Sequence, residues 1–173
     1  MSVYDEELEF VTAHRRHLHQ HPELSLKEYK TTEYIKSVLT DLNINHYQIL
    51  DTGVIGVLEG SSEITLGFRA DIDALPVQEQ NDVPYKSAAD NVMHACGHDG
   101  HTTALLLFAK RLKGLQDQGQ LKHNCVLIFQ PSEESNAGAN LMINAWQTRP
   151  DFDAIFGVHL MPDEDEGLVL YKN

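Results

Sequence analysis

His94-Ala95-Cys96-Gly97-His98-Asp99-Gly100-His101 is the stretch on which the reading of this chain turns. It places five groups able to bind a metal or move a proton within eight residues, immediately before an apolar helical segment. A hydrophobic core has no use for so much imidazole. Two further sites extend the pattern, Glu133-Glu134 and His159. Together they offer the thiolate, imidazole and carboxylate donors that zinc-like divalent ions favour.

Working outward, a long helix should begin near Asp99 or Thr102. Leu105, Phe108, Leu112 and Leu115 form its apolar stripe, and Lys110, Arg111 and Lys113 lie toward the end whose dipole suits cations. Upstream, the stretch from Asp71 to Met93 reads as loop, with Pro76 and Pro84. Before it come three short strands, about Asn45–Leu50, Val54–Leu58 and Ile64–Phe68, separated by the turn signals Asp51-Thr52-Gly53 and Glu59-Gly60-Ser61-Ser62. Two helices precede them. The first runs from about Asp5 to His19, with Leu8, Val11 and Leu18 near one face. The second starts at a capping box of Ser25 and Glu28, stapled by Leu24 and Tyr29, and continues through Ile35, Val38 and Leu42. Downstream, Cys125–Phe129 is a continuous apolar run, the signature of a strand buried on both faces. A helix over Gly138–Trp146, a strand over Asp153–Val158 and a last short strand over Leu168–Tyr171 complete the pattern. Strands alternating with helices imply a layered α/β domain.

The 173 residues are enough for one domain with its own core. A formal net charge of −13 argues against nucleic acid or an anionic membrane as partner. The run Asp163-Glu164-Asp165-Glu166 reads as a solvated loop. No basic-then-apolar leader opens the sequence, and no apolar run is long enough to span a bilayer. With only Cys96 and Cys125, the chain reads as a cytoplasmic protein of a reducing compartment.

Asp71 and Asp73 follow one predicted strand, Glu133 and Glu134 a second, and His159 a third. In open α/β sheets ligands bind at that carboxyl edge, so residues far apart in sequence should converge there. Cys96 and His98, with one residue between them, point to a similar side of an extended segment, and Gly97 and Gly100 permit tight turns. Adjacent glutamates in a turn diverge, so one can ligate while the other faces substrate. The ordinary alternative is a pair of acids at a helix N-terminus. Asp71 could fix the tautomer of a ligand imidazole, or be a turn aspartate bonded to its own backbone. His14, His17, His19 and His21 read mostly as solvated or helix C-terminal groups. A cysteine nucleophile is the rival chemistry, since a helix N-terminus and nearby histidines would depress the pKa of Cys96.

Taken in order, Arg15-Arg16-His17-Leu18-His19 with Pro22-Glu23-Leu24, Arg69-Ala70-Asp71-Ile72-Asp73-Ala74-Leu75-Pro76, Met93 to Thr102, Ile128-Phe129-Gln130-Pro131-Ser132-Glu133-Glu134 and Phe156-Gly157-Val158-His159 resemble the M20 metallopeptidase family. The resemblance is to its amidohydrolase branch of N-acyl-amino-acid deacylases, and it covers about Leu8 to Leu160. It implies a zinc-exopeptidase-like sandwich, a central mixed sheet between helices, incomplete at its C-terminal side. It implies that Cys96, His98, Glu134 and His159 hold a pair of divalent ions, manganese or zinc. Glu133 is then the general base toward a metal-activated water, and Asp71 supports the ligands. The substrate would be a small N-acyl amino acid or dipeptide-like molecule.

Members of that family also carry a lid and dimerisation domain and a return segment with a last histidine ligand. Residues 1–173 are therefore expected to be the N-terminal portion of the catalytic domain. Without the last ligand such a portion would hold one ion or none, and could be an inactive metal-binding fragment. Uncovered sheet edge would favour a homo-oligomer.

Overall fold

The computed structural model describes residues 2–135, 137–161, 163–165 and 167–170. The apolar run around Cys125 becomes the centre of a five-stranded sheet. This strand, β4 (Asn124–Gln130), lies antiparallel to β2 (Val54–Leu58) and parallel to β3 (Thr65–Asp71). β1 (Asn45–Gln48) closes one edge against β2, and β5 (Ala154–Gly157) closes the other, parallel to β3. The order β1-β2-β4-β3-β5 makes the mixed sheet that the sequence pattern anticipates.

Helices cover both faces. α1 (Val3–Gln20), α2 (Tyr29–Asp41) and α3 (His98–Asp117) lie on one side, α4 (Gly138–Ala145) on the other. The period-2 alternation of β4 divides its side chains between two cores. Cys125, Leu127 and Phe129 join Ile35 and Leu39 of α2 and Leu105, Leu106 and Leu112 of α3. Val126 and Ile128 meet Met142, Trp146 and Ile55 on the opposite side.

Local signals explain some helix boundaries and miss others. α1 begins before Asp5 because Ser2 and Asp5 cap it reciprocally: Asp5 N–H donates to Ser2 Oγ, and Ser2 N–H to the Asp5 carboxylate. The capping box expected of Ser25 and Glu28 does not form. Ser25 Oγ instead donates to Asp73 Oδ2 at 2.6 Å, and the fully buried Glu28 accepts from the Ser132 amide at 2.8 Å. The first amides of α2 are served by Glu23, which accepts from Lys30 N and Thr31 N. Tyr29 is exposed rather than stapled to Leu24, which bridges to Ala74. Tertiary partners thus outbid the local cap.

Leu8 and Leu115, expected on buried stripes, are exposed. Each lies ten residues from a buried leucine of its own helix, Leu18 or Leu105, which at 3.6 residues per turn leaves it about 80° around the axis. The strand expected over Leu168–Tyr171 is not present in residues 168–170, and Tyr171 lies outside the described residues. Asp163–Asp165 are exposed as expected of a solvated loop, and Glu166 lies outside the described residues. At the sheet edge, Ile155 and Phe156 of β5 are more than half exposed. Among the described residues, no helix is long and apolar enough to cross a membrane.

Because Phe129 is wholly enclosed at the centre of the larger core, Phe129→Ala should lower the unfolding free energy by about 3–5 kcal/mol. Urea unfolding followed by circular dichroism measures it.

Candidate metal centre

The β3–β4 register sets Asp71 beside Gln130, so the chain leaves both strands at the same sheet edge. Asp71 ends β3 itself, Asp73 lies two residues on, and the Pro131–Glu134 turn continues from β4. α3 crosses back between these strands and starts at His98. Cys96 and His98 are not on an extended segment, as expected, but on a turn entering the helix. Gly97 between them takes φ +84°, a left-handed conformation that favours glycine. Gly100 is not a turn residue either. It lies in the first turn of α3, where a Cβ would come within 2.6 Å of the Leu160 side chain.

The predicted residues converge. One donor atom each from Cys96, His98 and His159 lies within 4.8 Å of the others, and so does one each from His98, Glu133 and Glu134. His98 belongs to both groups. Its Nδ1 donates to the Asp73 carbonyl at 2.9 Å, with Asp73 Oδ1 at 3.2 Å. That bond directs the Nε2 lone pair toward Asp71 Oδ1, Glu134 Oε1 and Glu133 Oε2, at 3.6, 3.7 and 3.9 Å. Nε2 of His98 and Oε1 of Glu134 are buried with no hydrogen-bond partner. His159 is exposed. Its Nδ1 donates to the Leu160 carbonyl, and its Nε2 stands 3.5 Å from Cys96 Sγ.

Asp71 is fully buried but does not bond a ring nitrogen of His98. It accepts from His101 Nδ1 at 2.6 Å and from Arg69 Nη1 at 2.7 Å. His101 Nε2 accepts the Leu160 amide at 2.8 Å, latching the segment that bears His159 onto α3. The imidazole-orienting carboxylate for His98 is Asp73, which sequence reasoning left without a role. Asp73 Oδ2 also accepts from Ser25 Oγ and from the Glu134 amide at 3.0 Å. Burial alone would raise its pKa, but bonds from His98, Ser25 and the Glu134 and Glu133 amides outweigh this and hold it at about 2.

Electrostatics at Cys96 oppose a free thiolate nucleophile. Burial, then hydrogen bonding to Glu134 and the charges of Glu134, Asp71 and Glu133, push the Cys96 thiol up to about 11. This is the reverse of the depressed value a cysteine nucleophile needs. Cys96 and Cys125 are both free thiols. The helix-N-terminus reading of the glutamates also fails, since α4 has no acidic residue in its first turn. The pair instead occupies a turn after Ser132, which has φ +55° and whose amide is held by Glu28.

His19 also departs from expectation. His17 and His21 are exposed, as expected, but His19 is buried between two carboxylates, 2.8 Å from Asp99 and 3.0 Å from Glu79. Only its nearness to Pro22-Glu23-Leu24 set it apart in the sequence. The partnering carboxylates lie 60 and 80 residues away, beyond any local pattern.

A carboxyl-edge cluster of imidazole, thiol and carboxylate donors with a second glutamate beside it is the type of site found in metal-dependent hydrolases. The chain belongs to peptidase family M20/M25/M40, whose profile matches residues 67–172. An uncharacterized hydrolase of Staphylococcus aureus (strain bovine RF122 / ET3-1) is 58% identical over 168 residues, 96% of this chain and 44% of the relative. The Bacillus subtilis YXEP protein, described as a dinuclear metal binding peptidase from the M20 family, superposes with a TM-score of 0.84 at 40% identity. The match covers 92% of this chain and 45% of that one. A Zn-dependent exopeptidase from Parabacteroides distasonis shares the fold at 17% identity, with a TM-score of 0.53, over 87% of this chain and 58% of that one. The chain thus spans less than half the length of the curated relatives it matches.

Two outcomes follow from this geometry. Asp73→Ala should weaken zinc affinity about 10–100-fold, the effect typical of losing a carboxylate that orients a ligand imidazole; isothermal titration calorimetry reads it. Glu28→Ala leaves the buried Ser132 amide unpaired and should destabilise the fold by about 1–3 kcal/mol, whereas Glu28→Gln keeps an acceptor and should lose less; chemical denaturation compares them.

Proposed function

We propose that this chain carries the metal-binding half of an amidohydrolase that cleaves the amide bond of N-acyl amino acids. On this reading residues 1–173 are the N-terminal portion of the catalytic domain, and the lid, dimerisation domain and return segment lie outside them. The observation that carries it is the pair of buried, unpartnered acceptors, His98 Nε2 and Glu134 Oε1, facing one another across 3.7 Å. Leaving two such groups unpaired is expensive. A divalent cation is the partner that satisfies a lone-pair nitrogen, a carboxylate and a thiol together.

Cys96, His98, Glu134 and His159 would hold the ions, manganese or zinc, two in the whole protein. Bound there, a divalent ion supplies Lewis acidity toward water and the amide carbonyl. Glu133 does the proton work. It faces the cluster, with Oε2 3.9 Å from His98 Nε2, yet 43% of its side chain stays open to solvent. A carboxylate so placed can take a proton from the attacking water and return it to the leaving amine. Products are a carboxylic acid and a free amino acid. Asp71 acts one step removed, holding His101 and through it the chain next to His159. The two free thiols suit a cytoplasmic location. The exposed apolar edge at β5 suits either burial by the remainder of a longer chain or pairing of copies.

The test is release of free amine from N-acetyl and N-benzoyl amino acids by the longer protein containing this half. Turnover should require added manganese or zinc and vanish with chelator. Thiol-like activity that survives chelation would overturn the reading. Glu133→Gln should lower the rate about 10²–10⁴-fold while metal content, measured by elemental analysis, is unchanged.

A further inference from the structure

We propose that His19 is a doubly protonated positioning residue, a buried cation that fixes the helix start and the loop carrying His98 and Cys96. The proposal rests on the metal-centre reading above.

A neutral imidazole has one N–H and one lone pair. The His19 ring presents both nitrogens to carboxylate oxygens, Nδ1 to Asp99 Oδ2 at 2.8 Å and Nε2 to Glu79 Oε1 at 3.0 Å. Each contact is attractive only if both nitrogens carry protons. The carboxylates are themselves held ionised. Asp99 accepts from Arg15 Nε at 2.9 Å, and Glu79 accepts from the Ser87 amide at 2.6 Å and from Asn81 Nδ2. Two anions, one guanidinium and one imidazolium leave the quartet neutral, which suits a buried site. His19, Glu79 and Asp99 are each at most 3% exposed.

The other groups facing the ring agree. Tyr85 meets it edge-on at 5.8 Å. His94 is likewise buried. The hydrogen bond to Asp99, then that to Glu79, raises the pKa of His19 above its ordinary 6.5 against the opposing effect of burial.

The connections run to the metal centre from two sides. Asp99 follows His98 directly in the first turn of α3. Through Glu79, the amide of Ser87 is held, and Ser87 Oγ bonds the carbonyls of Ala89 and Val92, just before the Leu75–Met93 bridge that leads to Cys96. His19 therefore ties α1 to both segments that deliver donors. None of these contacts touches Cys96, His98, Glu134 or His159, so His19 acts through others.

The ring-nitrogen spectrum of the intact chain tests the charge. At pH 6.5, where an ordinary imidazole is only half protonated, nitrogen NMR should show both His19 nitrogens predominantly protonated; a single N–H overturns the proposal. Zinc titration tests the positioning. His19→Gln should bind zinc about 10–100-fold more weakly, and unchanged affinity overturns the proposal alone. In His19→Gly, added imidazole should restore affinity while pyrrole, of similar size but never cationic, should not; equal rescue by both overturns it. If His19→Gln does not fold, the wild-type spectrum still decides. Wild-type chain that takes up no zinc overturns the metal-centre reading and this proposal with it. The sign with pH is fixed as well. Stability from a raised imidazolium is complete below about 6.5 and fades as pH climbs through the folded-state value, so urea midpoints should fall over that range in wild type and not in His19→Gln.

Discussion

The carboxylate of Asp73 is the constraint on which the rest of the edge depends. Its own side chain gathers a hydroxyl from the loop before α2, the imidazole at the start of α3 and the amide of Glu134 after β4. Three segments separated by dozens of residues thus share one anion. Burying it is tolerable because every approach is made by a donor. The same bonds give His98 one orientation and one tautomer, so the outward-facing nitrogen is decided before any ligand arrives.

Around that anchor the site is built with a surplus of negative charge. Asp71, Glu133 and Glu134 together with the Cys96 thiol face a small volume, and burial together with those charges holds the one proton on sulfur tightly. A protein confronting such crowding can protonate its groups or admit a cation. The fold leaves two acceptors there without protein partners, which is the arrangement a cation relieves. Behind the site the logic reverses. The pocket around His19 balances its charges internally and needs nothing from outside.

Much of this was legible in the sequence where a signal was local. The central strand announced itself through Cys125–Phe129, because a strand covered on both faces cannot alternate with polar residues. The approach of Glu133, Glu134 and His159 to His98 followed from strand ends sharing one edge. What escaped was decided at long range. Ser25 and Glu28 have the spacing of a cap, yet each is claimed by a tertiary partner, Asp73 or Ser132, that no window of neighbouring residues contains. Asp71 and Asp73 are equivalent in sequence, two residues apart and both acidic. Only the path of the chain beyond β3 assigns His101 to the first and His98 to the second. His19 looked like one of several histidines at a helix end, and its burial depends on Glu79 and Asp99 arriving from elsewhere.

The strand order has a consequence for how the molecule is made. β2 and β3 are consecutive along the chain but are not neighbours in the sheet, because β4 lies between them. A nascent chain emerging from the ribosome therefore holds an open slot until the residues near Val126 are synthesised. Before that, β2 and β3 lack the strand that lies between them, and Asp71 and Asp73 have no opposing turn. Insertion of β4 both joins β2 to β3 and brings the Glu133-Glu134 turn to the acidic edge, so these contacts are non-local, of the kind that slows folding.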